Sequence, residues 1–222
     1  MSNNTTGLQV DIVPVTAFQQ NCSIVWCAET KDAVVVDPGG DIDRILKRIK
    51  ELGVNVTSIV LTHGHLDHVG GTEPLKAQLN VPVIGPHKDD LFWLQDLPKQ
   101  SQMFGFANTP AFTPDQWLDE GDTVKVGQYE LDVYHTPGHT PGHVVLANQE
   151  VKLVLVGDVL FQGSIGRTDF PQGDHATLIN SIKTKLWPLG NDMVFIPGHG
   201  PTSTFGHERK TNPHVADEMP LY

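Results

Sequence analysis

A chain of 222 residues is long enough to bury one large core, and it holds no run of about 18 apolar residues, which excludes a membrane-spanning helix. Its 26 acidic and 15 basic residues leave a formal charge of −11, the wrong sign for a broad phosphate-binding face, so neither nucleic acid nor membrane is an expected partner. The opening M-S-N-N-T-T-G has neither the basic start nor the apolar segment of a secretory leader, and the expected location is cytoplasmic.

Strands are predicted at residues 8–15, 22–27 and 33–36, which are short and β-branched or alternating. Cys22 and Cys27, five apart in one such stretch, would stand roughly 16 Å apart and form no disulfide. Asp37-Pro-Gly-Gly40 ends the third strand, and Asp41 is predicted to cap a helix. Ile42, Ile45, Leu46, Ile49 and Leu52 recur there at helical spacing, with Gly53 as the stop. A strand at 56–61 follows, then a helix at 70–79 with Pro74 in its first turn, and a strand at 81–84.

Residues 86–116 are the least regular. After a helix at 87–96, Pro98, Gly105, Pro110 and Pro114 predict a binding loop or lid. Its Phe92, Trp93, Leu94, Met103, Phe104 and Phe106 either wall a cleft or cover the sheet. Four strands follow at 123–126, 129–134, 144–147 and 151–156, the first two joined by a tight Gly127-Gln128 hairpin. A helix starts near Asp174 with Leu178, Ile179, Ile182 and Leu186 on one face, and a strand at 193–196 closes the set. Two blocks of strands then helix suit two sheets packed face to face with helices outside, in one domain over residues 1–222. Periodicity alone does not separate that from other α/β layers.

The chemistry concentrates between Thr62 and His68, read T-H-G-H-L-D-H. Neutral imidazole nitrogen and carboxylate oxygen are ligands that zinc prefers. His63 and His65, two apart in an extended segment, leave the same face. Asp67 and His68 follow where the chain turns toward a helix and can point at a second site beside the first. Three more metal-type residues stand where apolar runs end in Gly or Pro turns: His139 in T-P-G-H-T-P-G-H, Asp158 in V-G-D and His199 in P-G-H-G. Loops at one end of a sheet are where a rigid scaffold carries its chemistry.

These motifs, in this order from the first strand to His199, resemble the metallo-β-lactamase superfamily and within it the compact, single-domain glyoxalase II (hydroxyacylglutathione hydrolase) type. The resemblance implies an α/β fold, an αββα sandwich of two mixed sheets. It assigns His63, His65 and His139 to a first metal, Asp67, His68 and His199 to a second, and Asp158 to both. It implies two divalent ions, zinc first, although iron and manganese accept the same donors. A metal-bridging hydroxide would cleave a glutathione thioester, S-D-lactoylglutathione in the usual case of methylglyoxal detoxification, with Asp67 orienting the hydroxide and accepting its proton. Two bound cations would offset the negative charge locally, so an anionic small molecule is acceptable.

Further residues follow from the same resemblance. Gly163-Ser-Ile-Gly-Arg-Thr-Asp-Phe-Pro171 is similar to a segment of compact glyoxalase II-like proteins. Within it Arg167 either anchors a substrate carboxylate through its planar fork or pairs with Asp169. His143 is either a substrate or supporting contact or a hydrogen-bonded core histidine. Arg209 and Lys210 are candidates for the carboxylates of glutathione. Only 23 residues follow His199 (222 − 199), too few for the C-terminal helical domain of larger glyoxalase II enzymes. The alternatives are a mono-iron glutathione persulfide dioxygenase, with iron on His63, His139 and Asp158, a lactonase or other hydrolase of the same fold, and a non-catalytic metal-binding module.

Overall fold

Period-two alternation along the strands sorts apolar side chains into three cores, and that sorting builds the layers. The computed structural model describes residues 7–217, so most of the N-terminal segment read for a leader lies outside the described residues. One sheet contains β1 (Leu8–Val15), β2 (Gln20–Cys27), β3 (Asp32–Val36), β4 (Asn55–Val60) and β5 (Val83–Ile84) in that order. β1 to β3 are antiparallel, and β4 and β5 run parallel with β3. The second sheet draws on β6 (Thr123–Val126), β7 (Tyr129–His135), β8 (Val144–Asn148) and β9 (Leu153–Gly157). After the small hairpin β10 (Leu160–Phe161) and β11 (Ser164–Ile165) it adds β12 (Val194–Pro197) and β13 (Ser203–Thr204). Its order is β13-β12-β9-β8-β7-β6, with only β9 and β12 parallel.

Val34 and Val36 of β3 face the second sheet, where they meet Val144 and Leu146 of β8 and Leu153 and Leu155 of β9. The intervening residues point the other way. Ala33 and Val35 pack under α1 (Ile42–Leu52), α2 (Leu66–Val69), α3 (Thr72–Leu79), α4 (Leu91–Gln95) and α5 (Leu97–Phe104), through Ile45, Ile49, Leu66, Leu75, Leu94 and Leu97. Val145, Val154 and Val156 pack under α6 (His175–Ser181) and α7 (Phe205–Thr211), through Leu178 and Phe205. The result is an αββα sandwich. Strands buried on both faces read as continuous apolar runs, as β8 and β9 do, and each fully buried Leu, Ile or Phe stabilises the fold by about 1.5–3 kcal/mol.

Several predicted bounds shift by a few residues, the strand read at 81–84 shrinks to Val83–Ile84, and three features differ in kind or position. Asp41 does not cap α1: it adopts a left-handed conformation (φ 46°), and its carboxylate accepts from the backbone N–H of Thr16 at 2.8 Å, fastening the β1–β2 turn instead. Residues 97–104, read as part of a loop, form α5. Pro98 is no breaker there because the first helical turn needs no N–H donor. The helix predicted from residue 70 starts at Thr72, after the separate turn of α2. By contrast, Asp174 caps α6 as its position suggests, accepting from Thr177 N at 2.7 Å. Cys22 and Cys27 are both free and buried.

The site is placed by strand direction. Asp37, the T-H-G-H-L-D-H motif, Asp158 and His199 follow the ends of β3, β4, β9 and β12 respectively. The turn from β7 to β8 adds His139. The sheets are joined at this end: Val144 N donates to Thr62 O at 2.8 Å, and Asn21 N donates to Gly198 O at 2.7 Å.

Candidate metal centre

Three ring nitrogens crowd together beyond β4. His65 Nδ1 lies 3.1 Å from His63 Nε2 and 3.0 Å from His139 Nε2. Burial keeps these imidazoles neutral: His63 is held well below its ordinary value, His139 is lowered, and His65 is pushed down to about 3. The remote nitrogens fix the tautomers. His139 Nδ1 donates to Arg167 O at 2.7 Å, and His63 Nδ1 lies 3.1 Å from Thr62 Oγ1, whose own proton goes to Asp37 Oδ2 at 2.6 Å. Two bare Nε2 lone pairs therefore face His65. A proton on His65 Nδ1 can satisfy only one of them, and a proton on Nε2 satisfies neither. His65 Nε2 is itself buried without a hydrogen-bond partner among the described residues. This donor set fits a cation better than it fits itself.

A second set adjoins it. Asp67 Oδ2 lies 3.0 Å from His199 Nε2 and 3.9 Å from His68 Nε2. Asp158 stands between the two sets: Oδ2 is 3.7 Å from both His139 Nε2 and His199 Nε2, and Oδ1 is 3.3 Å from His68 Nε2. Here too the remote nitrogens sit on oxygen acceptors, His68 Nδ1 on Asp37 at 2.9 Å and His199 Nδ1 on the Phe18 carbonyl at 3.1 Å. Burial works against charge on His68, but Asp158 and Asp67 outweigh it and raise its pKa. Burial likewise opposes ionisation of Asp158 and Asp67, yet His68 leads a set of neighbours that holds both carboxyls below the usual range. His199, half-buried beside Asp67, is raised. Gly198 gives this cluster room, since a Cβ there would collide with Asp158 Oδ1 and lie 2.5 Å from His68 Cε1.

In each set three donor atoms lie within 4.8 Å of one another. His87, Asp89 and His135 meet the same distance on the far side of the β7–β8 turn. Their imidazoles are stacked, 4.1 Å apart at 17°, so in-plane lone pairs run in parallel planes and do not converge on one ion. His135 Nε2 is already spent on Pro141 O at 2.7 Å. That group is not preorganised for a metal.

All seven predicted metal-type residues gather at this one end of the sandwich; of the four proposed substrate contacts, Arg167 and His143 adjoin them, and Arg209 and Lys210 lie elsewhere. Arg167 uses both arms of its fork on Asp169, at 2.9 and 2.7 Å, and lies 4.6 Å from the centre of the Phe170 ring. The ion pair is the arrangement found; what Arg167 gives the site is its carbonyl. His143 is fully buried, stacked 4.7 Å from His63, and its Nε2 accepts from Asp158 N at 3.0 Å, so it presents nothing to a substrate. Arg209 pairs with Asp217 and Asn191 and faces Trp187, under the second sheet. Lys210 is exposed next to it on α7, and neither makes a bond to the metal-type residues.

Sequence reading missed Asp37, Thr62 and Asp90. Asp37 carried a signal, an acid in V-V-V-D-P-G at the end of an apolar run, the same pattern that picked out Asp158. Asp90, buried in the turn into α4, has no local signature. Trp93 and Phe170 lie 4.4 and 4.8 Å from the His65 ring, and Phe18, whose carbonyl meets His199, lies 5.4 Å from Phe106 and 5.8 Å from Phe104.

Comparison with known proteins agrees with this geometry. Residues 15–199 match the family model described as metallo-beta-lactamase superfamily. The chain is 49% identical over 209 residues to hydroxyacylglutathione hydrolase GloC of Haemophilus influenzae, covering 94% of this chain and 98% of the relative. Among solved structures, the BLEG-1 B3 metallo-beta-lactamase superposes with a TM-score of 0.85 at 35% identity, over 92% of this chain and 98% of the other. TTHA1623, solved in a di-iron-bound form, superposes with a TM-score of 0.83 at 35% identity, over 92% and 100%. A family match over residues 15–199, a shared fold and two adjoining donor sets linked by Asp158 lead to one assignment: the chain belongs to the metallo-β-lactamase superfamily.

Proposed function

We propose that the protein is a binuclear metal-dependent hydrolase of glutathione thioesters of the S-D-lactoylglutathione type, carried by a single domain. The observation that bears most weight is Asp158 between two separate donor sets. His63 Nε2, His65 Nδ1 and His139 Nε2 would hold one ion; Asp67 Oδ2, His68 Nε2 and His199 Nε2 would hold the other. Zinc is the first choice for this mixed imidazole and carboxylate set, with iron or manganese as substitutes. When bound, such ions supply Lewis acidity and a water that ionises near neutral pH.

The chain's own residues supply the rest. Asp67, kept ionised by its histidine neighbours, can orient a water or hydroxide by accepting its hydrogen bond at the carboxylate oxygen that does not serve the second set. Trp93 and Phe170 crowd the edges of His65 and limit water on that side. No acid is needed for a departing thiolate, and none is found among the four proposed contacts described above. The glutathione moiety is argued from the similarity to the Haemophilus hydrolase. A single iron on His63, His139 and Asp158, as in a persulfide dioxygenase, would leave the second set without an ion.

The test is hydrolysis of S-D-lactoylglutathione beside non-glutathione thioesters, on protein of measured metal content, with Asp67→Ala as the comparison. Two ions per chain and a loss of about 100-fold or more in Asp67→Ala are expected. Equal rates for the two proteins would remove the assigned mechanism. Oxygen uptake with glutathione persulfide, at one iron per chain, would replace it with the dioxygenase.

A further inference from the structure

Asp90 is a fully buried carboxylate that, among the described residues, has no cation bonded to it. Three neutral donors hold it instead. Oδ2 accepts from Gly64 N and from Thr140 Oγ1, both at 2.8 Å, and Oδ1 accepts from Gly142 N at 2.6 Å. Gly64 is the residue between His63 and His65, and Thr140 directly follows His139. The carboxylate therefore clasps together the two loops that carry the first donor set, although His65 and His139 are 74 positions apart in sequence. The backbones are zipped alongside it, with His87 N donating to Gly142 O at 3.1 Å. Gly142 leaves no slack, because a Cβ there would collide with Asp90 N and lie 2.7 Å from its Oδ1.

The chemistry of the clasp demands an acceptor-only group. Three donors converge on two oxygens, and an amide would turn one of them into an NH2 facing an N–H. A buried carboxylate without a cationic partner is costly as a purely structural device. It is well suited to fixing one loop against another, since bonds to an ionised acceptor are shorter and stronger than neutral ones.

We infer that Asp90 is a positioning residue that sets the spacing of His63, His65 and His139, and so tunes the first metal position from outside its donor set. This rests on the reading that those three histidines hold a metal, but not on which bond the enzyme cleaves.

The test uses the full chain loaded with zinc or with cobalt(II). Affinity for each of the two equivalents is measured by chelator competition, and the cobalt absorption bands report site geometry. Asp90→Asn is expected to weaken one equivalent by about 10- to 100-fold and shift its cobalt bands, while the other equivalent keeps its affinity. Thr140→Val, which deletes a single arm of the clasp, is expected to move the same equivalent in the same direction by a smaller factor. Variants that bind both equivalents with wild-type affinity and spectrum overturn the inference. If Asp90→Asn does not fold, Thr140→Val decides on the same criterion. A wild-type protein that binds fewer than two ions would instead sink the binuclear reading, so the two failures are told apart.

Discussion

His68 Nδ1 stands 2.9 Å from Asp37 Oδ2, and the same carboxylate takes the N–H and the hydroxyl of Thr62 at 2.7 and 2.6 Å. One buried acid thus orients His68 directly and His63 through Thr62. A carboxylate behind a ligating imidazole fixes its tautomer and raises its basicity, and losing it typically costs 10- to 100-fold in metal affinity. In Asp37→Asn, zinc retained after dialysis against a mild chelator is expected to fall by about that factor. Full retention would show that His68 needs no anionic partner.

Gly198 and Gly200 flank His199 and separate crowding from backbone strain. At Gly198 an added methyl meets Asp158 and His68, whereas at Gly200 it meets nothing within 4 Å. Gly200 instead has φ +76°, a conformation that L residues adopt at a cost of about 1 kcal/mol. Gly198→Ala is expected to lose metal and most activity, with about 1–3 kcal/mol of stability from overpacking. Gly200→Ala is expected to lower the melting temperature slightly and keep its metal. Zinc analysis and thermal melts on the pair distinguish these effects, and equal metal content in both would contradict the crowding argument.

The strands and the histidine-rich motif were legible because their signals are local. Ala33–Val36 is a short, Val-rich apolar run, and T-H-G-H-L-D-H packs three imidazoles and one carboxylate into seven residues. α5 was not legible, because Pro98 reads as a breaker unless the helix start is known to lie at Leu97. Asp41 has the right residue type for a cap, but Thr16 N claims its carboxylate from 25 positions away. Arg167 was ambiguous in principle: its fork fits Asp169 as well as a ligand, and sequence carries no distance. Asp90 joins residues 26 and 50 or more positions distant, a relationship that only the folded chain contains.

Asp90 also makes a prediction about stability and pH. Burial raises its pKa from 3.8 to about 6 against the pull of its three donors. The folded state then holds a proton more tightly than the unfolded chain does. The resulting stabilisation is fully present below about pH 4 and is lost as pH rises through about 6, with a span of about 3 kcal/mol. At neutral pH the clasp is ionised, which strengthens its hydrogen bonds while costing stability. Urea unfolding of metal-free protein at pH 4.5 and 7.5 reads this out as a difference between wild type and Asp90→Asn. The variant is expected to show a flatter dependence, and parallel curves would argue against a titrating Asp90.

Metal removal should have a pH dependence of the opposite sign, set by the second donor set. Without metal, His68 and His199 have raised pKa values because Asp158 and Asp67 outweigh burial, and the stability their protons add is lost as pH rises above 6.5. Metal competes for the same nitrogens and binds better as those protons leave. The gap between loaded and stripped protein is therefore expected to widen from pH 6.5 to 8.5. A site kept at a thousand times its Kd adds about 4 kcal/mol. For a chain of this size that is a melting temperature about 8–16 °C higher than after chelation. Thermal melts of the zinc-loaded and chelated protein at both pH values check the size and the sign, and a gap that narrows with rising pH would mean that His68 and His199 do not take part in binding.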